Sequence, residues 1–164
     1  MLERFNSEPG GELRAPLRAC CAAEDWVDAI IAGRPYADEA ALAEASDRVT
    51  AALSDVALGQ ALAGHPRIGE RAPDHGWSRQ EQSGVAGASD DVLTQLAAAN
   101  AEYERRFGHV YLVFASGRSA AELLAVCRSR LANDPRTERG VLLGELAKIN
   151  RLRLVKLLHP ETTS

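Results

Sequence analysis

One apolar run in this chain, Val110 to Ala115, reads as a strand or a buried extended segment, and no other segment offers it a strand partner. An unpaired strand leaves its backbone donors and acceptors unsatisfied, whereas a helix closes its hydrogen bonds within the segment. The remaining sequence is Ala- and Leu-rich and favours helix. Aromatic residues make up only 5 % of the 164, so small aliphatic side chains must fill the core. These constraints predict an all-α fold, a compact multi-helix bundle formed as a single domain over residues 1–164.

Helix punctuation is plain along most of the chain. Pro16 suits a first helical position ahead of Leu17, Cys20 and Cys21. A second helix is expected over Glu24–Ala32, stopped by Gly33 with Pro35 beyond it. An Ala-rich helix follows from Asp38 to about Leu53. Ser54 reads as the N-cap of another that ends at Gly64. Ser78 opens a short helix closed by Gly84 and Gly87. Ser89 caps a longer one to about Phe107, with Gly108 as its stop and Val92, Leu96, Ala99, Tyr103 and Phe107 as its core stripe. Ser119 and Glu122 form a capping box for a helix to about Ala132. Asp134-Pro135 begins the last helix, which runs to about Leu158.

Charge and composition narrow the class of function. The formal net charge of −4 disfavours a nucleic-acid surface, and the local Arg151–Arg153 cluster does not overturn that. No apolar run approaches the ~20 residues that cross a bilayer. Met1 to Gly10 is too polar for a signal peptide, and Thr162-Thr163-Ser164 is no peroxisomal address. Cys20, Cys21 and Cys127 make no disulfide framework and read as small core residues of a reducing compartment. A cytoplasmic protein is expected.

The strip His65-Pro66-Arg67-Ile68-Gly69-Glu70, followed by Trp77-Ser78-Arg79-Gln80-Glu81-Gln82, is not explained by core burial. It gathers an imidazole, a guanidinium, carboxylates and an amide around a loop, where active sites concentrate. Pro66 disfavours helical geometry at His65, which should lie just past a helix end. His65 is either a solvated loop histidine or a catalytic one. Ser78 and Glu81 fit a capping box, which leaves Gln82 without a role, or they present acceptors to a polar heterocycle. Arg153 falls in the centre of the buried stripe that Leu142, Leu146, Ile149 and Leu157 predict for the last helix. A guanidinium there either pairs with a structural carboxylate or snorkels outward, or it meets an anionic substrate in bidentate fashion. His65, Glu70, Asp74 and His75 are ligand types, yet their spacing matches no zinc pattern. There is no nucleotide fingerprint, phosphate-binding Lys motif or nucleophile elbow.

Together these residues resemble one family, the 2-oxo-4-hydroxy-4-carboxy-5-ureidoimidazoline (OHCU) decarboxylases of uric acid breakdown. The resemblance runs from Cys21–Trp26 and Arg34-Pro35 through His65–Gly69 and Ser78–Gln82 to Asn100–Gly108 and Leu152-Arg153-Leu154. It implies a carboxy-lyase that needs neither metal nor cofactor, usually a homodimer, and that converts a small-molecule substrate to (S)-allantoin. By the same resemblance His65 and Glu81 are catalytic, and Pro66, Ser78, Gln82 and Arg153 bind substrate. Backbone groups at Leu112 and Val113 are implied to contact the ring. His109-Val110-Tyr111 departs from the more Phe-rich form of that segment. Two other readings remain open: a non-catalytic helical domain that binds a small anionic heterocycle, and a metal-dependent hydrolase built on His65, Glu70 and His75.

Overall fold

A computed structural model describes residues 1–69, 83–85 and 87–163. Its helices are α1 (Leu2–Ser7), α2 (Gly10–Cys20), α3 (Glu24–Ala32), α4 (Glu39–Ala51), α5 (Asp55–Ala63), α6 (Asp90–Phe107), α7 (Ala120–Arg130) and α8 (Pro135–Leu158). Short 3-10 helices lie at Ser83–Val85 and Pro160–Thr163. No strand occurs among the described residues, and the fold is all-α. Nor is any helix among them long and apolar enough to cross a membrane. The chain divides into two compact units, Met1–Gly64 with Leu146–Ser164, and His65–Glu145.

In the first unit α3 packs against α2, α4 and α5. Its Trp26, Val27 and Ile30 are fully buried, each burial stabilising by about 1.5–3 kcal/mol. The helix starts follow from side chains that accept orphan backbone N–H groups. Asp38 accepts from the Ala41 amide at 2.7 Å and Ser54 from that of Ala57 at 3.1 Å. α3 has no cap of its own, and Gln60 of α5 accepts from the Glu24 amide at 3.3 Å.

One expectation fails here. α2 begins at Gly10 rather than Pro16, so the proline lies inside the helix. Leu13, Leu17 and Cys20 are all buried on one face, and that burial outweighs the hydrogen bond that Pro16 cannot donate. The six-residue α1 carries no comparable signal in the sequence. It buries Phe5, and Arg34 closes its end by donating to the carbonyls of Phe5 at 3.0 Å and Glu8 at 2.6 Å. Gly33 is required by a close approach: a Cβ there would lie 2.4 Å from the Tyr36 hydroxyl.

In the second unit α6 and α7 pack around Ile68, Val85, Leu96, Ala99, Tyr103, Tyr111, Val113, Leu123 and Cys127. Ser89 and Ser119 cap the two helices, accepting from Val92 and Glu122 amides at 3.4 and 3.2 Å. Gly108 ends α6 at φ 78°, the left-handed conformation that favours glycine. Val110–Ala115 forms no strand. Tyr111, Leu112, Val113 and Ala115 are buried in it as irregular chain, with the Tyr111 hydroxyl donating to the Leu123 carbonyl at 2.9 Å.

α8 carries residues of both units. Leu142, Leu146 and Ile149 are buried as expected, but near the end Leu154 and Leu158 are buried and Leu157 only half so. The same face also buries Glu138, Glu145, Asn150 and Arg153, an unusual load of polar groups for one helix.

Candidate active site

The loop that follows α5 carries the first set of candidate residues. Gly64 caps α5 in helical geometry, after which His65 and Pro66 lie outside any helix and half-buried. The loop is gripped by α6. Asn100 donates from Nδ2 to the Ile68 carbonyl at 3.1 Å, the Ile68 side chain enters the core, and Glu104 forks Arg67 at 2.5 and 3.1 Å. Gly69 follows at φ 92°, again a glycine-favouring turn. Arg67, Ile68, Gly69, Leu93, Asn100 and Glu104 are among the residues that line a cleft of about 390 Å³ beside this loop.

Glu70, Asp74, His75, Ser78, Glu81 and Gln82 lie outside the described residues. The chain re-emerges at Ser83–Val85, where a Cβ on Gly84 would lie 2.1 Å from the Arg118 carbonyl oxygen. Only glycine permits that approach, which holds Gly84 against the chain just before α7. Among the described residues no cluster of three His, Cys, Asp or Glu side chains could hold a metal ion.

Arg153 belongs to the first unit and is 5 % exposed, so it does not snorkel outward. Its Nη1 donates to the Cys20 carbonyl at 3.4 Å. Asn150, one turn earlier and fully buried, donates to the Thr50 hydroxyl at 3.2 Å, and its Oδ1 is buried without a partner. The neighbouring Cys21 thiol is pushed up by burial. The Ala23 backbone, the Asn150 amide and the Arg153 charge pull it down less strongly. Cys21 is therefore an inert core thiol, not a nucleophile.

The Leu112 carbonyl meets an ionic cluster that sequence reasoning missed. Arg130 is 4 % exposed and donates to the Leu112 carbonyl at 2.7 Å and to Glu138 Oε1 at 2.7 Å. Tyr103 donates to the same Glu138 oxygen at 2.5 Å, and Asn133 donates to Oε2 at 3.1 Å. The Arg130 guanidinium also lies 5.0 Å from the Tyr111 ring centre and 5.6 Å from that of Tyr103. Burial, then the bond to Glu138, pushes the Tyr103 hydroxyl well above its ordinary value, so it remains a donor. The cluster thus fixes the Leu112 carbonyl within the irregular segment. A signal for it existed: Glu138 precedes Leu142 by four residues and so extends the stripe that flagged Arg153.

The chain is similar to known proteins over most of its length. A family model for OHCU decarboxylase matches residues 6–155. The chain is 28 % identical over 141 residues to the 2-oxo-4-hydroxy-4-carboxy-5-ureidoimidazoline decarboxylase of Amia calva, covering 82 % of this chain and 81 % of that protein. It is 26 % identical over 147 residues to the uric acid degradation bifunctional protein TTL of Arabidopsis thaliana, covering 85 % of this chain. It spans only 45 % of that plant protein's length. A crystal structure of OHCU decarboxylase in the presence of (S)-allantoin superposes with a TM-score of 0.74 at 27 % identity, covering 85 % of this chain and 94 % of the other. An (S)-allantoin synthase shares the fold, with a TM-score of 0.73 at 18 % identity, 96 % of this chain and 54 % of the other being covered. Since the match begins within α1, ends near the close of α8 and takes in both His65 and Arg153, the chain belongs to the OHCU decarboxylase family.

Proposed function

We propose that this carboxy-lyase removes CO₂ from OHCU in urate degradation and releases (S)-allantoin, with His65 as acid and base. The family match over residues 6–155 carries the reaction class. Support for His65 comes from its place on a half-buried loop held at Arg67 and Ile68 by α6. Arg153, a guanidinium at 5 % exposure, is assigned to the substrate's anionic or carbonyl oxygens. Pro66 and the backbone at Leu112 and Val113 contact the ring in this reading. Glu81, Gln82 and Ser78 are proposed from sequence alone as the groups that orient it.

The chemistry requires no external electron sink. When the carbon–carbon bond to the carboxylate breaks, its electron pair forms a double bond to the ureido-bearing carbon. The ring carbon–nitrogen double bond takes up the displaced pair, and that nitrogen gains a proton. The hydroxyl then loses its proton as the carbonyl forms, and the ureido-bearing carbon is protonated on one face. A histidine, with an ordinary pKa ≈ 6.5, can accept and return protons near neutral pH. The enzyme is read as a cytoplasmic homodimer, which light scattering of the purified chain tests directly.

The deciding assay generates the labile substrate in place, using urate oxidase and the hydrolase that follows it, and reads the circular dichroism of forming allantoin. The wild-type chain should produce (S)-allantoin ahead of the uncatalysed background. His65→Asn should remain folded and lose ~10²–10⁴-fold in turnover. Near-native turnover by that variant would remove His65 from the mechanism.

A further inference from the structure

We propose that Asn100 is a positioning residue for this reaction, holding the His65 loop in register through the carbonyl of Ile68. The inference rests on the reading of His65 as the acid–base group. Asn100 lies in the core face of α6 between Leu96 and Tyr103 and is only 4 % exposed. A leucine would fill that place without a polar atom. Instead the chain buries an amide whose Oδ1 has no partner among the described residues and whose Nδ2 donates to Ile68. A buried, half-satisfied amide is unfavourable for stability, so its presence points to what its bond to Ile68 holds.

The bond holds a backbone carbonyl three residues after His65, across a segment stiffened by Pro66, whose ring fixes one dihedral. One turn further along α6, Glu104 forks Arg67 from the same helix. Two side chains spaced four apart thus grip two consecutive residues of the loop. The Ile68 side chain supplies the third restraint by entering the core. Loss of the Asn100 bond frees the loop to shift by a fraction of an ångström while the helices around it stay in place. Displacement on that scale is enough to slow proton transfer, because such transfer needs hydrogen-bond reach.

The test is Asn100→Leu, assayed alone and in a His65→Asn background, with thermal melts on the same samples. The single variant should melt at or above the wild-type temperature, lose about 10- to 100-fold in kcat and keep KM within about twofold. In the His65→Asn background it should cause no further loss, as expected for a residue that acts through His65. A folded Asn100→Leu protein with native kcat overturns the proposal, and so does an equal loss in both backgrounds. If Asn100→Leu fails to fold, Glu104→Gln decides: its partly exposed pair can be weakened without touching the core, and an unchanged kcat overturns the idea of a gripped loop. Activity retained by His65→Asn itself defeats the underlying assignment, whereas an inactive His65→Asn beside a fully active Asn100→Leu defeats only this one.

Discussion

Two buried polar networks hold different things together. In the first unit the network is neutral: the Trp26 indole donates to the Ser46 hydroxyl at 3.3 Å, Thr50 donates to the Ser46 carbonyl at 2.7 Å, and Asn150 donates to Thr50. Its members lie on α3, α4 and α8, so it ties helix to helix. In the second unit the network is ionic, centred on Arg130 and Glu138, and it serves the carbonyl of an irregular segment. The difference follows from donor count. A hydroxyl or amide can bridge two helices whose own backbones are already satisfied. A guanidinium, with five N–H groups in a planar fork, can satisfy a carboxylate and a stray carbonyl together. Around Arg130, charge is buried where the backbone lacks regular hydrogen bonding.

The comparison breaks most readily at Glu138. Glu138→Leu should cost ~3–5 kcal/mol, because Arg130 is left charged and uncompensated in the core. Urea melts measure it, and a wild-type melt would mean that the ion pair stabilises nothing. Adding Arg130→Met should restore much of that stability but not the activity, since the Leu112 carbonyl then has no donor.

Next in size is Arg153→Leu, the buried arginine beside the neutral network. Turnover should fall on the order of 10²-fold, about 2.7 kcal/mol of transition-state stabilisation. Stability should hold, because leucine extends the apolar stripe of Leu146 and Ile149 on which Arg153 lies. A large loss of stability with normal turnover would class Arg153 with Arg130.

Thr50→Val should cost about 1–3 kcal/mol, as it strands the Asn150 amide and removes the bond to Ser46. A cost as large as that of Glu138→Leu would erase the distinction between the networks. The last effect is alkaline. Burial pushes the Cys127 thiol from 9.0 up to about 11, with the Arg130 charge the largest opposing influence. The unfolded chain therefore ionises first as pH rises, and stability is lost between pH 9 and 11. Urea midpoints at pH 8 and 10.5 should show this decline, and Cys127→Ala should flatten part of it.

Much of this was legible from local chemistry. Asp38, Ser54, Ser89 and Ser119 mark helix starts because each cap accepts a bond from a residue three positions on, an interaction confined to adjacent sequence. Gly108 marks a stop for an equally local reason. α1 and the early start of α2 were not legible, because they depend on distant partners: Arg34 for one, a shared buried face for the other. Helical periodicity marks Arg153, and Glu138, Glu145 and Asn150 fall at the same spacing along α8. The Asn100–Gly108 motif was visible as a resemblance, yet its loop-holding bond to Ile68 could not be read without coordinates. The roles of Ser78, Glu81 and Gln82 rest on sequence still.

The first unit is discontinuous in sequence, and this has a consequence for synthesis on the ribosome. Its closing bonds join residues far apart: Asn150 to Thr50 across 100 positions and Arg153 to Cys20 across 133. The second unit, a contiguous stretch, can collapse as soon as it emerges, whereas α2 to α5 must wait for the far half of α8. During that wait Asn150 and Arg153 are missing from the buried face of the first unit, so the nascent chain is most exposed to aggregation before the far half of α8 emerges. A stalled or clipped product ending before Leu146 would retain the His65 loop but not the residue assigned to hold the substrate's charge.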